Sequence, residues 1–226
     1  MAPRAERAQG GASRIRAGVW LAFGVLWLAG TAIGLTILMN YDTRPGPSAA
    51  PPPVWPDDTT IARPAGRPVL LMLAHPQCDC TRASLDELAE LVARAARKPD
   101  VYVLFVRPAG VETGWERSGE LWERAGRIAG ARVLVDESGR EATRFRAQTS
   151  GQTVLYDEHG RLVFSGGLTA ARGKPGNSAG RTAVLAWLNR EEPAAAETSV
   201  FGCSLLGAVE LPVTNAGPHT HDIDTR

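Results

Sequence analysis

The chain has 226 residues, with 25 basic and 24 acidic side chains and a formal net charge of +1. So even a balance gives no general attraction to a polyanion and argues against nucleic acid as the partner. Roughly the first 40 and the last 30 residues lack a globular core pattern, and at about 100 to 200 residues per domain the remainder makes one domain.

Residues 1–16 carry Arg4, Arg7, Arg14 and Arg16 against Glu6 alone, and Ala17 to Met39 then run for 23 residues without a charge. At about 1.5 Å per residue that run spans roughly 34 Å, enough for a hydrocarbon core of about 30 Å. A cleaved signal peptide has an apolar region of about 7–15 residues followed by a small-residue cleavage site. Here "NYDTRPG" follows a longer run, which predicts a retained transmembrane signal anchor. The arginines then stay in the cytoplasm, and everything beyond Asn40 lies across the inner membrane, on the periplasmic or other extracytoplasmic side.

Residues 40–67 are rich in Pro, Ala, Gly and Ser without an apolar period, the composition of a semi-rigid linker that tethers a domain. The domain is expected over 68–192. "VLLMLA" (69–74) is a continuous apolar run, a strand buried on both faces. Leu85, Leu88, Val92 and Ala95 then recur at helical spacing, and Pro99 ends that helix. "VYVLFV" (101–106) predicts a second strand, 116–130 a helix, "RVLVD" a third strand and "REATRFRA" a short helix. "TVLYD" and "RLVFSG" flank the turn "EHG" as a hairpin, and 178–191 closes the domain as a helix. Long crossovers imply parallel strands and the hairpin antiparallel ones, so the fold class is α/β, a mixed sheet covered by helices. Residues 193–226 form a tail with Cys203.

Chemistry concentrates at the junction of the first strand and helix, where "HPQCDC" places Cys78 and Cys80 one residue apart. The first turn of a helix offers unpaired N–H groups and the positive end of the macrodipole, and both favour a thiolate. Cys78 is expected to have a lowered pKa. A bridge between residues i and i+2 closes a very small ring, and departures from relaxed geometry make a disulfide easier to reduce. Redox exchange, a permanent structural disulfide and soft-metal binding all fit the pair.

The strand "VLLMLA", the cysteine pair, the helix "TRASLDELAELV" and the later "GQTVLYDEHGRLVFSGG" resemble the thioredoxin-like fold. The resemblance is to membrane-anchored thiol-disulfide oxidoreductases of the bacterial envelope. "HPQCDCTRASLDEL", "FSGG" and "FGCSL" resemble proteins labelled RedB, over about residues 66–206. The resemblance implies an enzyme that exchanges disulfides with protein thiols or disulfides of the cell envelope without a small-molecule cofactor. It places Cys78 at the attacking position and Thr81 at that of the usual resolving cysteine, so Cys80 is an addition, and Gly151 stands where the family has a cis-proline. It also puts Arg172, Lys174 and Arg181 near the approach of a partner.

Cys203, an odd cysteine, implies a free thiol, intermolecular pairing or resolution of Cys78. Val200, Phe201, Leu205 and Leu206 around it predict that this stretch docks on the domain. The catalytic candidates are therefore Cys78, Cys80 and Cys203. The alternative function is a copper-binding and delivery module in which Cys78 and Cys80, with His75 or Cys203, hold Cu(I), an ion that thiolates favour. His219 and His221 form a second conceivable metal pair in a solvated terminus.

Overall fold

A computed structural model describes residues 5–117 and 119–206. Helix α1 covers Ala5–Thr43, and its stretch Gly18–Thr43 is long and apolar enough to cross a membrane. None of that stretch is buried in the protein, as suits a single membrane anchor rather than a core helix. The segment 207–226, with His219 and His221, lies outside the described residues.

The domain follows the order β1 (Val69–Ala74), α2 (Asp79–Arg94), β2 (Asp100–Arg107), α3 (Glu120–Gly126), β3 (Ala131–Glu137), α4 (Arg140–Arg144), β4 (Gln152–Tyr156), β5 (Leu162–Gly166) and α5 (Ala179–Leu188). The sheet order is β3-β2-β1-β4-β5. β1 pairs in parallel with β2 and β2 with β3, while β4 runs antiparallel to both β1 and β5. The expected mixed sheet is therefore present. The helix expected over 116–130 is interrupted: a 3-10 turn at Trp115–Arg117 precedes α3, which starts after Gly119 and ends with Gly126. Glycine at these two places carries the cost that breaks a longer helix.

β1 is central, and its alternating side chains build two cores. Leu70, Met72 and Ala74 pack with Leu85, Leu88, Leu91, Val184 and Leu188 of α2 and α5. Val69, Leu71 and Leu73 face the other way, toward Phe145, Tyr156, Trp55, Ile61 and Leu205. Among the described residues that second face has only the five-residue α4 as helical cover, too little for a five-stranded sheet. Segments outside the expected domain finish it.

Here the structure departs from the expected tether. Residues 46–63 lie along the domain as a strap: Thr149 Oγ1 donates to Pro47 O at 2.7 Å, Tyr156 Oη to Pro52 O at 2.9 Å and Tyr102 Oη to Ala62 O at 2.7 Å. Leu162 N donates to Pro53 O at 2.9 Å, and Trp55 N to Gly160 O at 2.8 Å. Proline lacks an N–H but keeps its carbonyl, so a Pro-rich strap binds mainly as an acceptor. Trp55 is buried, its ring 5.1 Å from those of both Phe145 and Tyr156. Glu141, also buried, accepts from Thr60 N at 3.1 Å and from the hydroxyls of Thr59 and Thr60.

The tail covers the sheet's second face at the end nearest the cysteines. Thr149 and Ser204 form an antiparallel bridge, and Leu205 N donates to Gln148 O at 2.9 Å. Val200 and Leu205 are buried, Phe201 and Leu206 partly so. The tail docks because this stretch supplies apolar side chains that the sheet face lacks.

Candidate active site

Cys78 is the N-cap residue of α2, with extended backbone at φ −100° and ψ 109°. Its side chain is buried, 1% exposed, at the open end of the helix where backbone N–H groups lack intrahelical acceptors. Cys80 lies in the first turn and is half-buried. Cys203 arrives from the tail: its Sγ is 3.0 Å from Cys78 Sγ, and its backbone N–H points at the same sulfur from 3.4 Å. All three cysteines are free thiols.

The tail is held in that position by close backbone fit. Ser150 N donates to Cys203 O at 2.8 Å. A Cβ on Gly202 would fall 2.1 Å from Ser150 O, so only glycine permits the approach that brings Cys203 to Cys78. Arg172 closes the other side, its Nη1 donating to Gly202 O at 2.5 Å.

Hydroxyls complete the surroundings of Cys78. Thr81 Oγ1 and Ser150 Oγ are 2.7 Å apart, and Ser150 Oγ also accepts from His75 N at 2.8 Å. With Thr81 hydrogen-bonding the sulfur, Ser150 supplies the proton shared with Thr81, and a chain runs from the β1 end to Cys78. Thr81 is a buried hydrogen-bonding residue at this site. The composition of "TSG" gave no periodic signal for Ser150, and nothing in the sequence distinguished Gly202 from other tail glycines.

These neighbours set the acidities. Burial opposes ionisation of Cys78, but the thiol and amide of Cys203 and the hydroxyl and amide of Thr81 outweigh it and bring the pKa below the ordinary value. The Cys80 thiol is pushed up by burial and then by the adjacent Cys78 charge, with Arg172 partly offsetting both. Burial, followed by the hydrogen bond and charge of Cys78, pushes Cys203 up to about 12. The site thus holds one activated sulfur, one proton-bearing neighbour in contact, and a third thiol beside them.

The remaining residues singled out by sequence divide clearly. His75 Nδ1 accepts from Gln77 N at 3.2 Å and its ring lies edge-on to Trp115 at 5.6 Å; burial lowers its pKa. Among the described residues no three His, Cys, Asp or Glu side chains form a group suited to a metal ion. Arg181 is spent on structure, pairing with Glu87 at 2.8 Å and also with Glu90, so α5 is locked to α2. Lys174 pairs with Asp42 at 3.3 Å. Gly151 has φ +89° and donates to Leu73 O at 2.8 Å, and a Cβ there would meet Ser84 Oγ at 2.8 Å.

No protein-family model and no curated protein matches the chain. Among solved structures, an uncharacterised conserved protein of Geobacillus kaustophilus is similar at TM-score 0.50 and 18% identity, over 73% of this chain and 92% of that one. A hypothetical protein of Sinorhizobium meliloti 1021 is similar at TM-score 0.48 and 23% identity, covering 62% and 79% respectively. The pneumococcal exposed lipoprotein thioredoxin Etrx1 of Streptococcus pneumoniae TIGR4 follows at TM-score 0.40 and 21% identity, over 55% and 85%. The likeness is one of fold: a mixed five-stranded sheet flanked by helices, preceded by one apolar helix.

Proposed function

We propose that the chain is a membrane-tethered thiol-disulfide oxidoreductase of the cell envelope, with its domain on the extracytoplasmic side and Cys78 as the reacting sulfur. The observation that carries this reading is the contact of Cys78, buried at a helix N-terminus with a lowered pKa, with a second thiol at 3.0 Å. The arginine-rich start and uncharged span support the tether and its orientation.

In the dithiol state the Cys78 thiolate attacks one sulfur of a partner's disulfide. The new bond joins Cys78 to that sulfur, and the partner's second sulfur leaves as thiolate with the bonding pair and takes a proton. Once Cys78 is bound its charge is gone, and so is one cause of the high pKa of Cys203. Cys203 then loses its proton and attacks Cys78, a Cys78–Cys203 disulfide forms, and the partner's first sulfur leaves. The partner gains two electrons and the chain loses two; a dithiol partner meeting the oxidised chain runs the steps in reverse. Cys80 is left as an auxiliary thiol because its i+2 spacing from Cys78 disfavours it as the resolving group.

The test is exchange with a disulfide-bonded protein, followed by quenched alkylation, alongside metal analysis of protein purified without reductant. Metal-free protein whose exchange is abolished by Cys78→Ser supports the reading. One copper per chain with Cys78 and Cys80 both protected from alkylation would replace it with the copper-delivery alternative.

A further inference from the structure

The segment between the apolar helix and the domain has almost no slack. α1 ends at Thr43, and the Gly46 amide already donates to Val200 O of the tail at 2.8 Å. Arg44 and Pro45 alone stand between the helix end and the packed strap, a reach of about 7 Å when extended. Left free, residues 44–67 in polyproline form would extend about 75 Å. Packing of the strap removes that reach.

Arg172 crosses the same short gap. Its backbone N–H donates to Asp42 O at 3.0 Å, within the last turn of α1. Its guanidinium carbon lies 5.0 Å from the centre of the Tyr41 ring, while Nη1 holds Gly202 O beside Cys203. Lys174 fixes the same turn through Asp42. One side chain therefore touches both the end of the apolar span and the segment carrying the second sulfur. Tyrosine at the end of such a span sits at the level of the lipid headgroups, which form a layer of only several Å on each side of the hydrocarbon.

Resting on the tethered-oxidoreductase reading, we propose that the sulfur cluster works at the lipid–water boundary, and that its partner is an integral membrane protein whose reactive cysteines lie in that boundary layer. A partner disulfide raised well above the bilayer is out of reach, because the strap holds the domain down and Arg172 holds the site end against α1. The exchange itself is unchanged: Cys78 bonds to one partner sulfur, the other leaves as thiolate, and Cys203 completes the two-electron transfer.

The experiment places the full chain in lipid nanodiscs with single-span peptides that carry a disulfide-bonded cysteine pair. One peptide has the pair directly beyond its apolar span, and another has it lifted about 40 Å on a rigid helix, at about 1.5 Å per residue. Single-turnover exchange with reduced protein is followed by quenched alkylation. The low pair is expected to react at least about tenfold faster, a ratio set by effective concentration at the sulfur. Inserting about 30 Gly/Ser residues between Arg44 and Pro45 gives a flexible reach that should bring the two rates together. Equal rates with the unextended chain overturn the proposal. So do slow rates with both peptides combined with normal exchange on a soluble disulfide, which leaves the redox reading standing. No exchange with any disulfide, soluble or tethered, removes the redox reading and this proposal together.

Discussion

The Sγ atoms of Cys78 and Cys203 face each other at 3.0 Å across 125 positions of sequence, while Cys80 lies two residues from Cys78 in the first turn of α2. The tail thus brings to Cys78 a sulfur free of the geometric limits of an i, i+2 bridge. It also brings the N–H and S–H groups that favour the Cys78 thiolate.

Cys203→Ala should slow alkylation of Cys78 near neutral pH by on the order of tenfold, equivalent to one charge-assisted hydrogen bond of about 1.5 kcal/mol. In the wild type the rate should rise with pH and level off below the pH at which an ordinary thiol does, because the lowered pKa places the thiolate there. Falling pH protonates Cys78 and removes the reactivity. The same variant should accumulate mixed disulfides with partners. A pH profile unmoved by the substitution would remove Cys203 from the control of Cys78.

Ser150→Ala leaves Thr81 without its 2.7 Å partner and the His75 amide without its 2.8 Å acceptor. The expected outcome is a cost of about 1–3 kcal/mol, as for a buried donor left unsatisfied, with the Cys78 alkylation profile moved to higher pH. Urea unfolding and iodoacetamide kinetics read the two effects separately. An unchanged profile would show that the hydroxyl chain serves packing alone.

Gly202→Ala places a Cβ 2.1 Å from Ser150 O, a contact that forces the tail away. Disulfide formation between Cys78 and Cys203 should fall sharply while the sheet remains folded, because the cores around β1 do not include Gly202. Trapping the bridge with a mild oxidant checks it, and a bridge formed at the wild-type rate would contradict the close-fit account.

Trp55→Ala should destabilise the domain by about 3–5 kcal/mol, the usual cost of truncating a buried aromatic residue. A chain beginning at Pro68 should do worse, since it loses Trp55, Ile61 and the Thr59 and Thr60 bonds to Glu141. Thermal unfolding decides the matter. A Pro68 chain as stable as the full domain would restore the strap to a passive tether.

The sheet and half of the site were legible because they carry period. Continuous apolar runs mark β1 and β2, helical spacing marks α2, and the cysteine pair falls where one pattern gives way to the other. The tail's docking could be read from Val200, Phe201, Leu205 and Leu206, an apolar cluster in an otherwise small and polar stretch. The strap could not: its anchors Trp55 and Ile61 are isolated among prolines, and its bonds are carbonyl contacts with no side-chain signature. Ser150 and Gly202 are equally silent in sequence, because a hydroxyl relay and a close backbone approach depend on which segments the fold brings together.

Disulfide mapping of the oxidised protein tests the pairing of Cys78 with Cys203 most directly. Protein reduced, then oxidised by one equivalent of a small disulfide and quenched with acid, is digested and its cross-linked peptides are identified by mass. The geometry predicts a Cys78–Cys203 peptide pair with Cys80 alkylated as a free thiol. A closed Cys78–Cys80 loop beside a free, alkylated Cys203 would contradict it.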